Sequence, residues 1–203
     1  MERKIIKFKT ICGDELEGVF IPLSANSVIK MGEVIREVRK DVRKKISDPT
    51  FDQNEQYVES LVKLLDKPRL VDLIISSQNA ELENEAKLLI LTPVDEDGYQ
   101  DKLKEKIEAV KEEKRKELFE NEEDNLRIEA KSVMINGIEQ SYVLKPTYDF
   151  IIYKCLRNPK ELTETIFTSA ENVGDLVEGT IYDVLIREWI EFSKNRGDEE
   201  AKK

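Results

Sequence analysis

Apolar and polar residues alternate at the start of the chain. From Lys4 to Cys12, Ile6, Phe8 and Thr10 share one face while Lys7 and Lys9 take the other. Period two predicts a half-buried strand. Gly13-Asp14 reads as a turn, Leu16 to Ile21 as the returning strand, and Pro22 as its stop. The period then lengthens. Met31, Val34, Ile35, Val38, Val42 and Ile46 recur at three- and four-residue spacing after a start near Ser24 or Ser27. That is an amphipathic helix, with Arg36, Arg39, Lys40, Arg43, Lys44 and Lys45 on its polar side.

Asp48-Pro49 breaks the pattern. A second helix is expected over Glu55 to Leu65 with Tyr57, Leu61, Leu64 and Leu65 inward, and a third beyond Pro68 anchored by Leu70, Leu73 and Ile74. Glu81 to Leu91 favours helix on propensity, although Leu88 to Leu91 also fits a short buried strand. Thr92-Pro93 and Asp97-Gly98 mark a further break. Gln100 to Asn125 is dominated by Lys and Glu, with a thin apolar stripe of Leu103, Ile107, Val110 and Leu118 and a Glu112–Lys116 pair. It predicts a long solvated helix, either a connector or an arm. Two heptads are too few to specify a coiled coil.

Leu126 to Ile135 and Ile138 to Leu144 read as strands flanking Asn136-Gly137, the dipeptide that suits a tight hairpin turn. Pro146 ends this hairpin, and Thr147 opens a helix through Phe150, Ile151 and Cys155. Asn158-Pro159-Lys160-Glu161 carries the cap, first-turn proline and acidic third position of a helix start. Thr180 to Asp183 repeats that logic for a last helix bearing Ile181, Leu185, Ile186, Trp189 and Phe192. Asn195 to Lys203 is read as a frayed polar tail. A shift of 124 residues superposes Gly13 on Gly137, Glu15 on Glu139, Val19 on Val143 and Pro22 on Pro146. This suggests either two related units or one α+β domain whose hairpins share a sheet. The expected fold is α+β, predominantly helical with two β-hairpins. Residues 1–98 and 126–203 form its two parts, and 99–125 a charged helical connector.

Composition narrows the chemistry. The 203 residues carry 33 basic and 43 acidic side chains, a net charge of −10, and no histidine. Histidine triads, histidine-ligated zinc and imidazole bases are therefore excluded. No apolar run approaches a membrane span, and the N-terminal segment lacks a signal-peptide pattern, which points to the cytosol. Cys12 and Cys155 are expected to be small buried hydrophobes. No phosphate-binding glycine motif is present. Ser27-Val28-Ile29-Lys30 has the bare SxxK form without its companion motifs and reads as a helix start. Asp95 to Gly98 fails the EF-hand register, since positions one and twelve would be Pro93 and Lys104. Neither Glu105 with Glu108 nor Glu178 with Asp183 is marked for acid–base work by an apolar setting. No catalytic, metal or cofactor residue is assigned.

At Val143-Leu144-Lys145-Pro146-Thr147, a strand ending in a Lys-Pro-Thr step ahead of a helix resembles a feature of some bacteriophage tail-assembly chaperones. The likeness covers Ile138 to Leu156. It implies a small, acidic, mostly helical cytosolic protein that holds a tape-measure or other tail component before assembly, and it transfers no functional residues. The leading expectation is a non-enzymatic assembly or adaptor protein that binds another protein, with Tyr182, Leu185, Trp189 and Phe192 as candidate contacts. The alternative is a nucleic-acid-associated regulator using Arg36, Arg39, Lys40 and Arg43, a face weakened by Glu33, Glu37 and Asp41.

Overall fold

The computed structural model describes residues 4–90 and 98–201. Helix dominates the described residues, so the small sheet is an accessory to a predominantly helical α+β fold. The elements run β1 (Ile6–Lys9), β2 (Glu15–Phe20), α1 (Ala25–Ile46), α2 (Glu55–Lys63), α3 (Lys67–Ser77), α4 (Asn79–Leu88), α5 (Tyr99–Glu120), α6 (Glu123–Cys155), β3 (Leu156–Arg157), α7 (Ala170–Leu176) and α8 (Gly179–Ala201). Two compact units are formed. The first joins residues 1–42 to 140–203, and the second is residues 43–139.

The first unit holds the sheet. β1 and β2 pair antiparallel with Ile6 opposite Gly18, and β2 pairs with β3 through Val19–Arg157 and Phe20–Leu156. Ile6, Phe8 and Thr10 are buried, as the alternation predicts. Gly13 closes the turn with φ +87°, a conformation that costs glycine nothing. The Thr10 N–H donates to the Asp14 carbonyl at 2.9 Å, and the Ile11 N–H donates to the Leu176 carbonyl at the end of α7. Gly18 is needed for packing: a Cβ there would stand 2.7 Å from Leu156 and 2.8 Å from Ile166. The core gathers Ile6, Phe8 and Phe20 from the sheet with Ile151, Ile152 and Cys155 of α6, Phe167, Val173 of α7 and Leu185 of α8. The expected inner face of the last helix is correct, since Ile181, Ile186, Trp189 and Phe192 pack against this core. That helix starts at Gly179 and continues to Ala201, so the expected frayed tail is helical over most of its length.

The second unit is a helical bundle. Asn54 caps α2 by accepting from the Tyr57 N–H, and Asp66 caps α3 by accepting from the Arg69 N–H. The inner face of α2 is one step round from that expected. Val58 and Val62 are buried while Tyr57 and Leu64 are exposed. Both sets have helical spacing, and the observed one puts two valines inside and the tyrosine hydroxyl in water. α5 is neither arm nor free connector. Val110 and Leu118 are buried in a core with Leu70, Val71, Ile74 and Ile75 of α3 and Leu82 and Ala86 of α4, flanked by Leu103 and Ile107. A thin stripe suffices because two short helices cover it. Glu112 accepts from Arg115, which also reaches Asp72 on α3, in place of the expected Lys116 pair.

The second hairpin is absent. Residues 126–144 lie inside α6, a 33-residue helix with Pro146 within it. Leu126, Ala130, Met134 and Ile138 recur every four residues and pack with the bundle core, and this long-range burial overrides the Asn-Gly turn preference. Pro146 supplies no N–H to the helix ladder, and the Thr147 hydroxyl donates to the Val143 carbonyl at 2.7 Å. The proposed duplication fails with the hairpin, because Gly13 has left-handed backbone and Gly137 is helical. The strand-to-helix step that carried the likeness to tail-assembly chaperones is likewise continuous helix. Asn158 to Glu161 opens no helix. The Asn158 side chain accepts from the Lys160 N–H, and the loop closes as the Asn158 N–H donates to the Glu164 carbonyl. Thr92-Pro93 and Asp95 to Asp97 lie outside the described residues.

Candidate functional site

Once α6 is a helix, a face appears that the strand reading hid. Leu144, Thr147, Tyr148 and Ile151 stand at i, i+3, i+4 and i+7 on α6. Opposite them, Trp189, Ile190, Ser193 and Lys194 stand on α8. Between the two rows lies an open groove of about 430 Å³, within the size range of ligand and side-chain clefts. Leu144 is 52% and Ile190 37% exposed, so aliphatic surface on both sides of the groove faces water. A smaller cavity of about 180 Å³ in the second unit is lined by Ile46, Ser47, Pro49, Asn54, Glu55 and Gln56 and is mostly polar.

Aromatic packing fixes the α8 wall. The Trp189 ring meets Phe20 edge-on with centroids 5.6 Å apart and Phe192 at the same distance. The indole is thus braced on its inner side and half open on the other. Among the described residues no hydrogen bond engages its N–H. Beside the groove, Lys145 bonds Asp149 at 2.9 Å and stands over the Tyr182 ring. The Tyr182 hydroxyl donates to the Lys145 carbonyl at 3.1 Å, tying α8 to α6. Burial first, and Asp149 next to it second, push the Tyr182 phenol well above its ordinary range, which keeps it a neutral donor. Gly174 leaves room for the lysine: a Cβ there would lie 2.7 Å from Lys145 Nζ.

The four sequence candidates therefore divide. Trp189 lines the groove. Leu185 is wholly buried in the core, Phe192 is a brace behind Trp189, and Tyr182 ties the two helices. Leu144, Tyr148, Ile151 and Ile190 were not singled out. Tyr148 and Ile151 lie on the helix expected from Thr147, and Leu144 joins their face because the helix runs on through Pro146.

The basic candidates divide too. Arg36, Arg39 and Lys40 are exposed on α1. Arg43 is engaged: its guanidinium donates to both carboxylate oxygens of Glu139, at 2.6 and 3.3 Å. Glu139 is buried, and its carboxylate raises the Arg43 pKa above the ordinary value. Ser27 of the SxxK stretch is held at the start of α1, its N–H donating to the Ser24 hydroxyl. Glu105, Glu108, Glu178 and Asp183 are all exposed. Cys155 is buried, and burial pushes its thiol up to about 12. Cys12 is exposed, contrary to expectation, because the strand ends at Lys9 and the cysteine sits on the turn. Among the described residues, no helix is long and apolar enough to cross a membrane. No family model, no curated protein and no solved structure matches this chain.

Proposed function

We propose that this is a non-enzymatic assembly or adaptor protein of the cytosol that holds another protein in the α6–α8 groove. The reading is carried by the exposed aliphatic surface of Leu144 and Ile190 on either side of a braced tryptophan. Aromatic residues that are rigid before binding lose little conformational entropy on docking, and such residues dominate interface energies. Apolar side chains on both walls of the groove fit an amphipathic segment with anchors at helical spacing. A role in phage tail assembly is the narrower form of this reading and predicts that the partner is a tail component.

The test is affinity capture of the tagged chain from its native cells with a nuclease-treated control. A stoichiometric protein that survives nuclease and is lost with Leu144→Glu supports the groove. Capture unaffected by Leu144→Glu and by Ile190→Glu sinks it. Enrichment that disappears with nuclease favours the nucleic-acid alternative on α1.

A further inference from the structure

A second exposed face lies away from the groove. α1 carries seven basic and three acidic residues, a net +4, in a chain whose net charge is −10. Arg36, Arg39 and Lys40 are exposed, and among the described residues no hydrogen bond or ion pair engages them. Ile29, Gly32, Arg36 and Arg39 follow one another at helical spacing as a stripe along one face, and Lys40 lies four residues beyond Arg36. At the head of that stripe Val28 is 48% and Ile29 62% exposed.

Gly32 gives the stripe a second meaning. It lies inside a helix, where glycine is less favourable than alanine. A Cβ there would meet nothing within 4 Å, and the residue does not have the positive φ that requires glycine. The chain's own packing therefore gives no reason for a glycine at this position. The same holds for Gly137 of α6, so the glycine marks no interface by itself; beside the exposed cations it leaves room for a second backbone.

We propose that this stripe docks an acidic amphipathic helix of a partner protein. The partner's apolar residues cover Val28 and Ile29, its backbone comes nearest at Gly32, and its carboxylates face Arg36, Arg39 and Lys40. Charge complementarity selects carboxylates, and the exposed aliphatic pair selects a segment that also carries apolar side chains. A nucleic-acid backbone matches less well. Glu33 and Glu37 are exposed among the cations, where they repel a continuous row of phosphates. Residues 29 to 40 span about 16 Å of helix, so a partner of three turns covers the stripe. This surface shares no residue with the groove, and either can fail alone.

The test uses the full chain and fluorescence anisotropy at low salt. The probes are two stapled 18-residue helices, one with leucines leading glutamates on the same face and one with that order reversed. A glutamine-for-glutamate version and a 20-base-pair DNA duplex serve as comparators. One acidic helix is expected to bind, and its glutamine version to bind at least tenfold more weakly. Arg36→Glu/Arg39→Glu/Lys40→Glu and, separately, Gly32→Leu each weaken binding at least tenfold with helix content retained, whereas Lys104→Glu on α5 does not. Failure of both acidic helices to bind, equal binding of the glutamine version, full binding by the triple variant, or preference for the DNA duplex overturns the proposal.

Discussion

The two units close their cores in different ways. The main core cluster of the second unit is aliphatic, valine, leucine, isoleucine and alanine from α2 to α6, with Tyr99 of α5 buried outside it. The first unit buries Phe8, Phe20 and Phe167, then adds Tyr148, Tyr153, Tyr182, Trp189 and Phe192 at its margin, where they are only half buried. Flat rings brace one another and leave an edge open, and the groove lies along that edge. Both units leave apolar side chains in water, Leu64, Leu88 and Ile128 of the second among them, and the difference is that in the first they border a groove braced by aromatic rings.

The largest expected effects test whether both cores are closed. Leu70→Ala in the second unit and Leu185→Ala in the first remove side chains with no exposure, and each costs about 2–5 kcal/mol by chemical denaturation. Trp189→Ala removes more atoms yet costs less than the ~3–5 kcal/mol of a fully buried aromatic, because one side of the ring already meets water. A Trp189→Ala loss as large as that of Leu70→Ala would make the groove wall ordinary core and erase the distinction.

Next comes the Arg43–Glu139 pair of the second unit. Arg43→Ala leaves the buried Glu139 carboxylate without its guanidinium and lowers the denaturation midpoint. Arg43→Ala/Glu139→Gln recovers part of that loss, and a double-mutant cycle measures the coupling. Additive losses would place Arg43 with the free surface cations.

Glycines sharpen the contrast with opposite signs. Gly18→Ala in the first unit pushes a Cβ against the fully buried Leu156 and costs about 1–3 kcal/mol. Gly137→Ala in the second unit meets nothing within 4 Å inside a helix and stabilises by about 0.5–1 kcal/mol. Thermal melts of the two variants should move in opposite directions. A shared sign would show that the sheet is packed no more tightly than the exposed face of α6.

Much of the fold was legible wherever one period dominated. The alternation at Ile6, Phe8 and Thr10 gave the first hairpin, and the spacing from Ile181 to Phe192 gave the inner face of α8. Reading failed where local and distant signals disagreed. At Asn136-Gly137 the turn preference of two residues is outweighed by burial of Leu126, Ala130 and Met134 against helices distant in sequence. At Asn158-Pro159 a good cap precedes a segment whose Leu162 and Ile166 do not sustain a helix, and Phe167 goes into the core of the first unit instead. β3 has two residues and exists only because β2 is beside it. The candidate site was half legible for the same reason. Trp189 is conspicuous in composition, whereas Leu144 joins the face of Tyr148 and Ile151 only when α6 continues through Pro146.

The central claim is that the groove between α6 and α8 holds a partner protein. The most direct measurement places a photo-crosslinking residue at Ser193, an exposed groove-lining position, and irradiates the chain in its native cells. The account predicts one dominant protein adduct that is resistant to nuclease and is lost when Leu144→Glu is added. A groove that crosslinks to no protein, or to the same protein with Leu144→Glu present, contradicts it.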